Sequence, residues 1–201
     1  MPRPDVSVER TEQIIAAAVA TFTRLGLAEA RMEDIAAAAG LSKATIYLYF
    51  DSKDALIAAI LNSFVGREIA EARKLLAGDG SAAAKLESLI ELVIEDTRAF
   101  LPYVSLYFDF LAMAMREQSV RAVVQEPFND YMEVVVAIIE QGQAAGEFRP
   151  VDPLAAALSL GTLIEGTLLL WAYDPELIDA GEQIRASTRL LLDGLLVSKA
   201  G

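Results

Sequence analysis

Residues 32–50 read MEDIAAAAGLSKATIYLYF, and this stretch decides the fold. Its first part has the composition of a short helix, which Gly40 ends. After a tight turn, Ser42 is a residue type that caps helices, here a second short helix that ends at about Tyr49 or Phe50. Two short helices joined by a tight turn predict a helix-turn-helix, although generic helical hairpins share this pattern.

The second short helix carries polar side chains on its outer side. Ile46 and Phe50 lie four residues apart and can pack inward. The residues that then point largely outward carry hydroxyl or ammonium groups, and they are Lys43, Thr45, Tyr47 and Tyr49. Such groups suit phosphates and base edges, and the second helix of this motif enters the major groove of DNA. The spacing equally allows Tyr47 and Tyr49 to be ordinary half-buried aromatic residues.

Helical periodicity continues on both sides of this motif. Upstream, a helix over residues 8–25 ends at Gly26, and downstream Ser52 caps a helix whose first residue, Lys53, offers a cation to a phosphate. Further helices are predicted at residues 53–76, 82–100, 102–116, 120–145 with a bend or break at Pro127, 154–173 and 183–198. Because no alternating strand pattern persists, the predicted fold class is all-α, with about nine helices.

The charge of the chain is unevenly distributed. The net charge is −12 at pH 7, which at first argues against a nucleic-acid partner. Residues 1–53, however, hold six basic and seven acidic side chains, so nearly all of the negative charge lies in the rest of the chain. A local cluster of cations in this first segment can therefore still bind phosphates, with little long-range steering.

The composition narrows the chemistry that the chain can perform. There is no cysteine and no histidine, which excludes disulfides, thiol nucleophiles and imidazole bases or metal ligands. The sequence also contains no phosphate-binding glycine loop and no cluster with metal-ligand spacing. We therefore expect no enzymatic activity, no cofactor and no metal. An enzyme built on paired carboxylates or a Ser/Lys arrangement is the alternative.

The sequence favours a cytoplasmic protein without a membrane partner. The first ten residues carry charges and two prolines where a signal peptide needs an apolar stretch. Residues 151–173 form the longest apolar stretch, but Asp152, Pro153 and Glu165 interrupt it. We therefore predict a buried helix there and not a membrane span.

The run GLSKATIYLYFDSKDAL at residues 40–56 resembles the signature of the tetracycline-repressor (TetR) family. Upstream residues fit the same pattern, namely Ile14, Ile15, Ala17, Ala18, Phe22, Gly26, Ile35 and Ala36. The resemblance is dense over residues 10–60. Beyond them it extends only to the helical layout and to the Gly-Glu-Phe-Arg turn at residues 146–149.

This resemblance implies an all-α chain with two domains. Residues 8–54 would form a three-helix DNA-binding domain, with its helix-turn-helix at about residues 32–50. Residues 55–201 would form a helical domain for ligand binding and dimerisation. The implied function is that of a DNA-binding transcriptional regulator, specifically a repressor that a small hydrophobic effector releases from its operator.

The resemblance also implies roles for individual residues of the first domain. Lys43 and Tyr47 would approach bases or nearby phosphates, and Ala44 would lie close to the DNA. Phosphate contacts are implied for Thr45, Tyr49 and Lys53, next to the capping Ser42. The family usually has Thr or Ser at the start of the second helix, where this chain has Ala30 and Arg31. The cap is therefore lost, at a typical cost of about 1 kcal/mol, and Arg31 could restore the phosphate contact by its charge.

The last two predicted helices are apolar on more than one face. Leucines at positions 190–192, 195 and 196 cover most of the circumference of the last helix, which therefore needs two packing partners. One is its own core and the other is a second subunit, although a central helix of a monomer would look the same. Gly161 and Gly166 would let helices approach closely. A two-fold dimer presents two recognition helices to a pseudo-palindromic operator in double-stranded DNA.

An aromatic cluster predicts a pocket for a small apolar or aromatic effector. Its members lie in the middle of the chain, and they are Phe100, Tyr103, Tyr107, Phe110 and Met113. Thr162, Glu165 and Trp171 would add polar groups and an indole from the next-to-last helix. Ordinary core packing explains any one of these residues equally simply. Glu165 could face solvent, cross a dimer interface or bind the ligand.

One further alternative concerns the whole chain. A helical ligand-binding or interaction module that has lost DNA binding would keep the same periodicity. A gel shift with DNA from upstream of the gene separates this alternative, and that of an enzyme, from a DNA-binding regulator.

Overall fold

The structure is a computed structural model that describes the backbone of residues 6–197. Within this range it leaves out the side chains of Val6, Leu61, Asn62, residues 64–68, Ala99 and Ser119. The helices are α1 (Val6–Leu25), α2 (Met32–Ala38), α3 (Lys43–Tyr47), α4 (Lys53–Ala77), α5 (Ala82–Phe100), a 3-10 turn (Leu101–Tyr103), α6 (Val104–Ala114), α7 (Gln118–Ala144), α8 (Pro153–Tyr173) and α9 (Ala180–Leu195). Among the described residues the only strand-like pairing is one isolated bridge, so the predicted all-α class is confirmed.

The helices α7 and α9 differ from their predicted forms. The helix α7 continues through Pro127 without a break, although the proline supplies no N–H at that point. The helix α9 begins at Ala180, three residues earlier than predicted, because the Asp179 carboxylate accepts the Glu182 N–H at 2.9 Å and caps the helix. It ends at Leu195, before the predicted end at residue 198, which lies outside the described residues.

The chain divides into two compact units. One consists of the described part of Met1–Val65 together with Ser105–Glu126, and the other of Gly66–Val104 together with the described part of Pro127–Gly201. The first unit therefore contains a later segment, α6 with the start of α7, in addition to the predicted DNA-binding region. The domain boundary at residues 54 and 55 stays a prediction.

The first unit packs α2 against α1 and α3 against α2. Its core contains large side chains that are almost completely buried, among them Ile14, Phe22, Ile35, Ile46 and Leu56. A hydrogen bond of 2.7 Å from the Gln13 amide to the Ala39 carbonyl joins α1 to the end of α2. These contacts hold the two short helices, which are too short to be stable alone.

The second unit packs α9 against both α5 and α8. Its apolar core draws on the end of α4 and on α5, α7, α8 and α9, with Leu86, Ile138 and Ile139 almost completely buried. Lys85 is also buried, and its ammonium donates to the Leu76 carbonyl at 2.9 Å and to the Gln141 side-chain oxygen at 3.1 Å. These two hydrogen bonds replace contacts with water that the Lys85 ammonium loses on burial.

The turn after α7 joins that helix to the end of α9. Gly146 has a φ of +71°, which a residue with a side chain rarely adopts. The Arg149 N–H donates to the Leu195 carbonyl, and the Val197 N–H donates to the Glu147 carbonyl, each at 2.9 Å. Phe148 lies directly over Gly142, where an added Cβ would come within 2.2 Å of its ring. The turn is thus fixed by backbone bonds and by one close packing contact.

The apolar helix α8 is buried on one side only. By length and composition it is the one helix in the described range that could cross a membrane. Only 28% of its most apolar 18-residue segment is buried. The prediction of a buried helix therefore holds for the side that contacts α9 and the core. The other side exposes leucines, among them Leu158 and Leu169.

Candidate DNA interface and effector cavity

The turn between α2 and α3 has a precise local geometry. Gly40 has a φ of +66°, its N–H donates to the Ala37 carbonyl at 3.1 Å, and the Leu41 N–H donates to the Ala36 carbonyl at 2.9 Å. This pair of bonds is the Schellman motif that ends helices at glycine. The Ser42 hydroxyl then accepts the Thr45 N–H at 3.1 Å and starts α3. The helix-turn-helix predicted from the sequence is therefore present.

One side of α3 is fixed in the core of the first unit. Ile46 is completely buried, and Phe50, just beyond the helix, is 7% exposed. The opposite side is open to solvent, and we call it the outer face of α3; it consists of Lys43, Ala44, Tyr47 and Leu48. Thr45 and Tyr49 lie at its margin and are half-buried. They are therefore less exposed to solvent than their positions in the sequence predicted.

The cation of the outer face has an acidic partner. The Lys43 ammonium donates a hydrogen bond to the carboxylate of Glu33 on α2 and lies 5.8 Å from the centre of the Tyr47 ring. This hydrogen bond lowers the pKa of Glu33 and raises that of Lys43. Both side chains are more than half exposed, so an incoming anion can compete for the ammonium.

Lys53, at the start of α4, is held by backbone carbonyls. Its ammonium donates to the Ala30 carbonyl at 2.8 Å and to the Ala28 carbonyl at 3.3 Å, and it lies 5.8 Å from the centre of the Phe22 ring. Partial burial lowers the pKa of Lys53. The side chain therefore fixes the loop between α1 and α2 in addition to carrying a charge.

Arg31 occupies the N-cap position of α2, and its side chain makes no capping hydrogen bond. Its backbone N–H instead donates to the Asp34 carboxylate at 2.9 Å, which is one half of the reciprocal capping arrangement. The loss of the usual capping residue is thus partly offset by an acid three residues later. The Arg31 side chain itself is exposed.

The eight predicted effector residues are divided between the two units. Phe100, Tyr103, Thr162, Glu165 and Trp171 belong to the second unit, and the others belong to the first, namely Tyr107, Phe110 and Met113. Phe110 is 2% exposed and is part of the core, whereas Thr162 and Glu165 are exposed on α8. Their contact with an effector stays a prediction.

Two cavities formed by described residues of the second unit differ in character. A small apolar cavity of about 20 Å³ lies between α5, α7 and α8, with Leu89, Met132, Leu160 and Gly161 in its walls. A more open cleft of about 290 Å³ is formed near the start of α9, and Trp171 lies in its wall beside Arg98. Of the eight predicted residues, Trp171 is the one that lines either of these two cavities.

The side of α8 that faces away from the core presents a row in which four of the six residues are apolar. The residues lie three or four positions apart and are all exposed, and they are Leu154, Leu158, Thr162, Glu165, Leu169 and Tyr173. We call this row the exposed stripe of α8. Leu190 of α9 is also exposed, to 75%. Glu165 is the only charged member of the stripe.

Among the described residues, no group of three or more acidic, cysteine or histidine side chains could hold a metal ion. The polar groups of the candidate DNA interface are the ammonium of Lys43 and the hydroxyls of Thr45 and Tyr47 on α3.

Two family models together match most of the chain. Residues 14–60 match the bacterial regulatory proteins of the tetR family, and residues 82–197 match the C-terminal domain of BetI-type transcriptional repressors. The chain belongs to the tetR family of bacterial regulatory proteins. The match to the first model covers α2, α3 and the turn between them, so this tetR-family protein is a helix-turn-helix transcriptional regulator.

Individual relatives agree with this family. The tetR-family chain is 29% identical over 202 residues to the HTH-type transcriptional regulator BetI 2 of Chromohalobacter salexigens, covering 98% of this chain and 93% of that protein. Its fold is similar to the crystal structure of a regulator from Pseudomonas aeruginosa PAO1, with a TM-score of 0.82, 22% identity and coverage of 95% and 92% of the two chains. It is also similar to a complex of SmeT, a Stenotrophomonas maltophilia repressor, with triclosan, with a TM-score of 0.80, 21% identity and coverage of 95% and 93%.

Sequence reasoning missed two features of this tetR-family regulator. One is Leu48 on the outer face of α3, which could have been found because it lies four residues after Ala44, on the side opposite the core. The other is the apolar cavity, whose walls come from three helices that are distant in the sequence. Its lining residues carry no local signal that separates them from ordinary core leucines.

Proposed function

We propose that this regulator is a repressor that binds operator DNA through α3 as a two-fold homodimer and leaves it when a small apolar effector binds. The observation that carries the proposal is the outer face of α3, where Lys43, Ala44 and Tyr47 are open to solvent while Ile46 anchors the helix. An exposed face on a core-anchored second helix suits entry into the major groove. Such a repressor would act in the cytoplasm.

Lys43 and Tyr47 are the proposed contacts with base edges, and Ala44 allows close approach. Lys43 would exchange the Glu33 carboxylate for a guanine edge or a phosphate oxygen, which replaces one acceptor by another. The exchange costs little because both partners are solvated in the free protein. The geometry of the pair thus supports a Lys43 ammonium that lies on the outer face and is available to bind DNA.

The proposed phosphate contacts surround this centre. They are Arg31, Ser42, Thr45, Tyr49 and Lys53, which carry hydroxyl groups or cations near α3. The Ser42 and Thr45 hydroxyl oxygens lie 2.8 Å apart, so one hydroxyl donates to the other, and the hydroxyl that accepts keeps its own hydrogen for a phosphate. The Ala30 carbonyl that Lys53 binds directly precedes Arg31, so Lys53 would also position the start of α2.

The proposed dimer interface is the exposed stripe of α8 together with α9. Leu158 and Leu169 of the stripe are each about 40% exposed, at 42% and 40%, and Leu190 of α9 is exposed further. Leaving a row of large apolar side chains in water is unfavourable, and a second copy of the same row would bury it. The row is self-complementary in chemistry, as a two-fold interface requires.

The proposed effector site is the apolar cavity between α5, α7 and α8. Among the described residues its lining includes one hydroxyl group, that of Tyr131, and no charged group, which favours an uncharged apolar ligand. The volume of about 20 Å³ holds roughly one water molecule, so an effector would bind an expanded conformation that the free protein populates to a small extent. Triclosan, the ligand of the similar repressor SmeT, is a suitable first probe.

The test of the proposed function begins with operator selection from a random DNA library. In gel shifts with the selected DNA, apolar and aromatic compounds should release the protein, with a change in affinity of roughly 5- to 150-fold. Trp171 is the only tryptophan of the chain and lies on α8, so its fluorescence should report the same binding events. Failure to select any DNA would overturn the proposal.

Two glycines of α8 provide matched variants for the effector site. Gly161 lies in the wall of the cavity, and an added methyl group there would lie 3.7 Å from the Met132 side chain, whereas one at Gly166 would contact nothing within 4 Å. Gly161→Ala should keep operator binding and weaken the response to effectors. Gly166→Ala should leave both unchanged. Equal responses of the two variants would place the effector elsewhere.

A further inference from the structure

Leu48 is the most exposed large apolar residue in the described part of the chain. It is 83% exposed, compared with 75% for Leu190 and Tyr173. Single exposed leucines are common on protein surfaces, so exposure alone assigns no role. Its position does, because Leu48 lies directly after α3, on the outer face of the helix that is proposed to enter the groove.

The backbone of Leu48 continues the helical path. Its φ of −74° and ψ of −21° are helical, so its side chain follows that of Ala44, four residues earlier, along the same face. Ala44 is exposed too and adds only a methyl group. The neighbouring row of the same face holds Lys43 and Tyr47. The outer face of α3 thus has one polar row and one apolar row.

The apolar row contains no side-chain donor or acceptor. It therefore cannot hydrogen-bond a phosphate or a polar base edge, and burying it against such groups would leave them without partners. In the major groove the exposed apolar group of a base pair is the C5 methyl group of thymine. A leucine beside a small residue matches this group in polarity and leaves room for it.

We propose that Leu48 contacts the C5 methyl group of a thymine in each operator half-site and thereby selects that base. This inference rests on the proposed function, since it requires α3 to lie in the major groove. Lys43 and Tyr47 supply hydrogen bonds to neighbouring groups, while Leu48 supplies an apolar contact at a separate base pair. Leu48 is in this account a specificity-determining residue.

The test replaces thymine by deoxyuridine, which lacks only the methyl group, at one position at a time in the DNA that the wild-type protein selects. One thymine per half-site should be sensitive, with a loss of affinity of about fourfold for each methyl group removed. Leu48→Ala should bind the unmodified DNA with an affinity that is lower than that of the wild type by a similar factor. Its affinity should not change when deoxyuridine replaces thymine at that position. Leu177→Ala, which truncates a leucine that is 63% exposed outside α3, serves as the control and should behave as the wild type.

The possible outcomes separate this inference from the proposed function. If the wild-type protein selects an operator and no thymine is sensitive, or if Leu48→Ala stays as sensitive as the wild type, Leu48 does not read a methyl group and the inference is wrong. The same holds if Leu48→Ala binds every DNA as the wild type does, as expected for a leucine that serves a protein partner. If no DNA is selected, the proposed function fails together with this inference.

Discussion

The outer face of α3 and the exposed stripe of α8 are both open to solvent in a single chain, yet they differ in chemistry. The first presents an ammonium group and hydroxyls beside the apolar row of Ala44 and Leu48, and its Lys43 is paired with Glu33. The second presents leucines with one carboxylate. A polar face suits a partner that is charged and hydrated, whereas an apolar row suits a partner that excludes water.

The comparison implies different responses to salt. Binding through cations releases counterions from DNA, so its affinity falls steeply as the salt concentration rises. Association through leucines does not depend on counterions and is strengthened by salts that favour apolar burial. The two surfaces can therefore be disrupted separately by substitution and distinguished by ionic strength.

The largest effect is expected from a charge on the exposed stripe. Leu158→Glu would place a second acid beside Glu165 in the proposed interface, and an unpaired buried charge is strongly unfavourable. We expect sedimentation to show a monomer at micromolar concentration and operator affinity to fall roughly 100-fold or more, because one α3 replaces two. Leu177→Glu, on an exposed leucine outside α8, is the control and should stay dimeric. A dimeric Leu158→Glu would exclude the stripe as the interface.

The next largest effect is expected at the centre of the outer face. Lys43→Ala should reduce affinity for the selected operator by about tenfold and change the preferred bases, because a bidentate contact to a base is worth about 1–3 kcal/mol. Repeating the DNA selection with the variant measures both quantities. An unchanged preference would mean that Lys43 contacts only phosphates.

A smaller and sequence-independent effect is expected at Lys53. Lys53→Ala should weaken binding to all DNA sequences alike, by about fivefold, and should lower the slope of affinity against salt by about one. Lys74→Ala serves as the control, since Lys74 lies near the other end of α4 and is paired with Glu71. A loss of affinity with an unchanged salt slope would mean that Lys53 acts only through the loop carbonyls that it binds.

The smallest effect is a gain. Glu33→Gln removes the acid that competes with DNA for Lys43 and should raise operator affinity about threefold at low salt. Because the hydrogen bond lowers the pKa of Glu33, the pair stabilises the fold above the usual glutamate pKa, and this stabilisation is lost as the pH falls through the lowered value. Below the lowered pKa Glu33 is protonated and no longer competes with DNA for Lys43. Fluorescence anisotropy should therefore show that the operator affinities of the wild type and of Glu33→Gln become equal at acidic pH. A weaker-binding variant would mean that Glu33 supports the interface.

The sequence was sufficient for the helix-turn-helix because its signals are local. Gly40 must adopt a positive φ and Ser42 must cap, and each of these requirements is visible within a few residues. The Lys43–Glu33 pair was not predictable, because its members lie on different helices and meet only when α2 and α3 pack. Local propensity thus places the elements, and packing decides which charges are paired.

The second unit was predicted less completely for the same reason. The apolar character of the last two helices is plain in the sequence, and α8 does expose a stripe that suits a partner. The effector prediction relied instead on aromatic composition, and it stays a prediction for residues that are divided between the two units. A cavity is defined by the side chains that converge on it, which in this unit come from α5, α7 and α8.

The most direct test of the central claim is selection of DNA by the full chain from a random library, followed by sequencing. If α3 reads the groove and the exposed stripe pairs two copies, the enriched sequences should contain two inverted half-sites whose centres lie about one helical turn, or a multiple of it, apart. Enrichment of a single half-site would contradict the two-fold dimer. The absence of any enriched sequence would contradict DNA recognition by α3.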